Sequence, residues 1–158
     1  MKQHIYNLEV VWTGNLGNGT TSYQSYSRAH DIIVKGKEII HASSDVQFRG
    51  DGAKYNPEEL FISSISACHM LWYLHFCADA GIVVKSYKDN ASGILSLEEN
   101  GSGKFTEVQL SPKIVILDPL QINQAKELHQ RAHQFCFIAN SCSFPIFIDT
   151  NELVAKFD

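Results

Sequence analysis

The run Asn56-Pro57-Glu58-Glu59-Leu60-Phe61-Ile62-Ser63-Ser64-Ile65-Ser66-Ala67-Cys68-His69-Met70-Leu71-Trp72-Tyr73-Leu74-His75-Phe76-Cys77 decides how the rest of the chain is read. Asn56 is a good N-cap, Pro57 suits the first helical position, and Glu58 and Glu59 favour the positive end of the helix dipole. Glu59 stands three residues after Asn56, the spacing of a capping box. Gly81, after Ala80, supplies a C-terminal cap. Between these signals apolar side chains fall on every side of one long helix, from Leu60 and Phe61 to Leu74 and Phe76. A helix apolar all round is expected inside a core. The residue to explain is then the thiol at its centre, Cys68.

Outward from this helix, the chain reads as a single α+β domain of 158 residues, long enough to bury a core. Upstream, β-rich residues 5–12 predict a first strand, a Gly/Asn-rich loop follows at 14–20, and residues 23–28 read as extended. The three glycines of that loop fit neither a Walker nor a dinucleotide fingerprint. Residues 31–34 and 38–42 flank the tight turn Lys35-Gly36-Lys37, which makes the N-terminal third an antiparallel meander. Downstream, strands are expected at 82–87, at 91–97 and 105–110 around an Asn100-Gly101 turn, and at 113–117. Asp118 and Pro119 open a second, amphipathic helix with Ile122, Ala125, Leu128, Ala132 and Phe135 on one face. Residues 143–149 form a last strand, with Pro145 marking an edge or bulge, and 152–157 continue it or form a tail.

Composition narrows the function. An apolar fraction of 44%, a charged fraction of 19% and a net charge of -4 describe a globular chain. Its scattered Lys and Arg argue against a nucleic-acid partner. No secretory h-region follows Met1. The longest apolar stretch, 60–76, is broken by Ser63, Ser64, Ser66, His69 and His75 short of the roughly 18 residues of a membrane span. A cytoplasmic protein with no membrane partner is expected.

Four cysteines (Cys68, Cys77, Cys136, Cys142) are too few for a disulfide scaffold, and none forms a CxxC pair. A buried cysteine is usually a small hydrophobe, a reading that suits Cys77 and Cys142. Cys68 and Cys136 have chemically richer neighbours: His69 beside the first, His133 and the polar Ala139-Asn140-Ser141 exit around the second. A thiol at mid-helix gains nothing from the helix dipole, so reactivity requires a cation. His69 points about 100° away from Cys68, and His75 lies about 10.5 Å further along the axis. The arginines Arg28, Arg49 and Arg131 remain, and composition does not choose among them.

Asn56 to His69 resembles the osmotically inducible protein C and organic hydroperoxide resistance (OsmC/Ohr) family, as does Ala80-Gly81-Ile82-Val83-Val84. So does His133-Gln134-Phe135-Cys136-Phe137-Ile138-Ala139-Asn140-Ser141, which is similar to the family's second cysteine motif. Trp12-Thr13-Gly14, Tyr26-Ser27-Arg28-Ala29-His30 and the histidine after Cys68 favour the OsmC-like branch, and the resemblance spans essentially the whole chain. It implies antiparallel β-sheets packed around a long central buried helix in an intertwined homodimer. It further implies a thiol peroxidase acting on organic hydroperoxides, with hydrogen peroxide as the secondary candidate substrate, as part of an oxidative stress response. In that reading Cys68 is the peroxidatic thiol and Cys136 the resolving one. Glu58 holds the catalytic arginine, which Arg28 matches best, with Arg49 the alternative. A sulfenic acid on Cys68 then condenses with Cys136, and an external lipoyl-type dithiol reopens the disulfide; no metal or other cofactor is implied. Trp72, Phe61, Phe137 and Phe144 are candidates for an apolar substrate slot, with ordinary core packing the plainer reading of each.

Helix geometry adds a constraint to that implication. Glu58 and Cys68 lie ten residues apart, about 15 Å along one axis and about 80° around it, so they cannot meet within one straight helix. Glu58 and Arg28 are therefore expected to reach Cys68 from a second subunit across a two-fold axis. Two other classes compete with the peroxidase. One is a non-enzymatic small-molecule or thiol-binding protein on the same fold. The other is a cysteine hydrolase, which lacks a histidine base on the Cys68 face.

Overall fold

The long helix is present as expected. In the computed structural model, which describes residues 2–156, α1 spans Pro57–Asp79. Its capping box is complete: the Glu59 amide donates to Asn56 Oδ1 at 2.8 Å, and the Asn56 amide donates to Glu59 Oε2 at 3.2 Å. At the other end Gly81 adopts φ 69°, and the Ile82 amide reaches back to the Cys77 carbonyl at 2.8 Å. Only a residue without Cβ takes that left-handed turn at no cost.

The chain divides into two compact units, Met1–Leu60 and Phe61–Asp158. In the first, β1 (Glu9–Trp12), β2 (His30–Ile33) and β3 (Ile40–Ala42) form an antiparallel meander. The expected turn closes β2 on β3, with Gly36 at φ 80° and the Lys37 amide bonded to the Val34 carbonyl. Residues 5–8 stay outside the first strand, and 23–28 is a series of turns rather than a strand. There the Arg28 guanidinium draws the Tyr23 and Tyr26 carbonyls onto itself, so these groups do not enter a ladder.

In the second unit, β4 (Val84–Asp89), β7 (Pro112–Ile116) and β9 (Leu153–Ala155) make one sheet, and β5 (Ser92–Leu97), β6 (Gly103–Leu110) and β8 (Ile146–Ile148) make another. The hairpin at Asn100-Gly101 is present, with Gly101 at φ 84°. The expected antiparallel pairings β4–β7 and β5–β6 are present, and each sheet adds one parallel edge: β8 pairs parallel to β6, and β9 parallel to β7. The α+β class stands, with mixed sheets. Phe157, the end of the expected last segment, lies outside the described residues. Asp118 caps a short 3-10 turn through the Leu120 amide, and α2 (Ile122–Phe135) follows.

Within this unit α1 sits over both sheets. Ile65 packs on Val108 and Leu110 of β6, while Tyr73, Phe76 and Cys77 pack on Ile114 and Ile116 of β7, on Leu153, and on Ala125 and Ala132 of α2. The helix is not covered on all sides, as its composition suggested. Its buried residues are Ile65, His69, Tyr73, Phe76 and Cys77, a single stripe, while Leu71 is 63% exposed. By length and hydropathy α1 also passes the test for a membrane-crossing helix, contrary to the expectation, because the serines and histidines lower its mean hydropathy only to 1.3.

Candidate functional site

Cys68, half-buried near the middle of α1, faces Cys136, fully buried at the C-terminal cap of α2. Burial, reinforced by a hydrogen bond to Cys68, pushes the Cys136 thiol up to about 12. The two sulfurs lie close enough to interact, and that neighbour favours a protonated Cys136. The Cys136 sulfur in turn accepts from the Ala139 amide at 3.4 Å. Thus two thiols 68 positions apart in sequence meet as free cysteines. The remaining two lie elsewhere: Cys77 is buried beside the Tyr73 hydroxyl, and Cys142 donates to the Ile138 carbonyl at 3.3 Å.

Glu58 and Arg28 belong to the unit Met1–Leu60 and are described within it. The Arg28 guanidinium lies 4.2 Å from the centroids of both Tyr23 and Tyr26 and donates to their carbonyls at 2.7 and 2.6 Å. Glu58 Oε2 is buried with no hydrogen-bond partner among the described residues. Arg49, the alternative, is exposed and adopts φ 65° after the 3-10 turn Val46–Phe48. Arg131 lies 4.1 Å over the Phe76 ring.

The slot candidates separate into two groups. Phe61 and Phe144 pack in the apolar cluster around Ile65, with ring centroids 6.1 Å apart. Trp72 and Phe137 meet edge to face at 5.6 Å, and Phe137 is 67% exposed. In sequence, Phe137 follows Cys136 directly and Trp72 lies one helical turn beyond Cys68.

A pair that the sequence did not single out lies next to the thiols. His69 Nε2 and His129 Nδ1 are 2.9 Å apart, both rings are buried, and Tyr73 stacks on His129 at 4.1 Å. Burial, together with the neighbouring His129 and His133, lowers His69 to about 3, and burial lowers His129 to about 4. Both rings are neutral at pH 7. Among the described residues no three His, Cys, Asp or Glu side chains group as metal ligands.

Residues 50–151 match the family described as OsmC-like protein. The chain belongs to the OsmC-like family. An OsmC-like protein of unknown function from Vibrio cholerae O1 biovar eltor is 33% identical, with both chains covered over 100% and a TM-score of 0.79. The same fold recurs in an organic hydroperoxide resistance protein from Elizabethkingia anophelis (21% identity, 99% of this chain and 100% of that one, TM-score 0.65). It recurs also in one from Legionella pneumophila (19%, 98% and 99%, TM-score 0.65). A search of curated proteins returns no match. The span that matches the OsmC-like family takes in both Cys68 and Cys136.

Proposed function

We propose that the chain is a cysteine-dependent peroxidase for organic hydroperoxides. The observation that carries this reading is the meeting of two free thiols, Cys68 of α1 and Cys136 at the end of α2. Family membership and the hydroperoxide-resistance names of two structural neighbours support a peroxidase-like role in a general way. In the proposed cycle the Cys68 thiolate attacks the terminal oxygen of the peroxide. The O–O bond breaks, the organic half leaves as an alcohol after taking up a proton, and Cys68 becomes a sulfenic acid. Cys136 attacks that sulfur, and its proton leaves with the hydroxyl as water when the disulfide forms. An external dithiol of the lipoyl type returns the two electrons.

Arg28 is proposed to steady the thiolate and orient the peroxide, with Glu58 holding the arginine. The unpartnered Oε2 of Glu58 supports a cationic partner for it. The uncovered apolar circumference of α1 supports a homodimer in which one subunit supplies Arg28 and Glu58 to the other's thiols. Trp72 and Phe137 are proposed to give the organic group an apolar wall. Free thiols suit a reducing cytoplasm.

Peroxide consumption with dihydrolipoic acid as reductant tests this reading. Wild type is expected to turn over an organic hydroperoxide, Cys68→Ser to lose all turnover, and Cys77→Ser to keep it. Turnover that survives Cys68→Ser would end the proposal.

A further inference from the structure

We infer that the His69–His129 hydrogen bond is a positioning device that sets the Cys68 and Cys136 thiols against each other before any disulfide forms. The inference rests on the peroxidase reading above. His69 directly follows Cys68, so anchoring its ring fixes the rotation of α1 about its own axis at the reactive thiol. His129 lies seven residues before Cys136, two turns back on the same helical face, so anchoring it fixes where α2 delivers Cys136. The one bond of 2.9 Å therefore ties the two helices at the level of their thiols.

Apart from the meeting of Cys136 with Cys68 itself, the other side-chain contacts described between these helices are aliphatic or aromatic and weakly directional, Ala125 and Ala132 packing beside Tyr73, Phe76 and Cys77. Trp72 and Phe76 each meet Phe135 at 5.2 Å, Arg131 lies over Phe76, and Tyr73 stacks on His129. Apolar surfaces such as these slide at little cost, whereas a hydrogen bond weakens steeply when bent.

Packing alone does not select this pair. In two neutral rings sharing one proton, the donor ring keeps a bare acceptor nitrogen and the acceptor ring keeps an N–H. Those atoms, His69 Nδ1 and His129 Nε2, are buried with no partner among the described residues. Two leucines would fill the space without unmatched nitrogens. A buried polar pair that lowers stability while fixing register is a known use of such groups. The histidines touch neither peroxide nor sulfur in this proposal; they act through the helices.

The test compares wild type, the double variant His69→Leu/His129→Leu, and the single variants His129→Gln and His129→Leu. Each is oxidised with diamide and then equilibrated against dithiothreitol. The double variant is expected to melt no lower than wild type while its Cys68–Cys136 disulfide equilibrium constant falls at least tenfold, about 30 mV. His129→Gln, whose amide both donates and accepts, is expected to recover most of that loss. A folded double variant with the wild-type equilibrium constant overturns the inference, as does melting that falls in step with it. Should the double variant fail to fold, the singles decide. Equal equilibrium constants for His129→Gln and His129→Leu overturn the inference, and a loss confined to His129→Leu supports it. If wild type forms no Cys68–Cys136 disulfide with diamide, the peroxidase reading falls and this inference with it, an outcome distinct from the others.

Discussion

The two halves of α1 bury their inward faces in different company. Around Ile65 the neighbours are almost wholly hydrocarbon: Val108 and Leu110, with Phe61, Phe105 and Phe144 closing the cluster. Around Tyr73, two turns later, the buried set includes the Tyr73 and Tyr87 hydroxyls, the Cys77 thiol and the His69–His129 pair. Burial raises both tyrosines and Cys77 and lowers both histidines, so each of these groups is held neutral. Cys68 lies between the halves. Packing suffices to hold the first half in place, while the second keeps polar atoms that packing does not require, on the side from which Cys136 arrives.

Substitutions should separate the two halves. The largest loss is expected for Ile65→Ala, about 2–5 kcal/mol by denaturant titration, through a cavity in the hydrocarbon cluster. In the protein that remains folded, the Cys68–Cys136 disulfide equilibrium should stay near wild type. If that equilibrium collapses as well, the halves are not separable.

Acid should act on the second half. His69 and His129 sit at about 3 and about 4 in the fold, against 6.5 when free, so between these values the unfolded chain binds more protons than the folded one. Their contribution is fully present above about pH 6.5 and is lost as pH falls toward 4, at about 1.4 kcal/mol per pH unit for each histidine that titrates only when unfolded. Comparing wild type with His69→Leu/His129→Leu across pH 7 to 4 isolates this from the carboxylates. A double variant with the same slope would remove the histidines from the account.

A smaller effect is expected at the start of α1, outside both clusters. Asn56→Ala should cost about 1 kcal/mol through loss of the capping box, equally at pH 7 and pH 5 and with no change in the disulfide equilibrium.

Much of this architecture could be read from local signals, because capping and turn chemistry act over a few residues. Asn56 with Glu59, Gly81, Lys35-Gly36-Lys37 and Asn100-Gly101 each do what their neighbours require. The parallel pairings of β8 and β9 were out of reach, since no local feature of Ile146–Ile148 or Leu153–Ala155 names the partner strand. The inward face of α2 was legible in Ile122, Ala125, Leu128 and Ala132, all in or against the core, but His129 was missed from it. Its buried residues are Ala125, His129 and Ala132, whereas Phe135 is 44% exposed. His129 falls four residues after Ala125 and three before Ala132, a spacing that puts it in the core, but its polarity hid it. The family resemblance pointed to Cys68 and Cys136; composition could not have paired them across 68 positions. The partner of His69 was likewise hidden, 60 residues away.

The central claim is that Cys68 reacts with peroxide and Cys136 resolves it. Less than one equivalent of an organic hydroperoxide, added to the reduced protein and followed by disulfide mapping with mass spectrometry, tests this most directly. The account predicts a Cys68–Cys136 disulfide, absent in Cys68→Ser. Consumption of the peroxide with Cys68 left unmodified would contradict it.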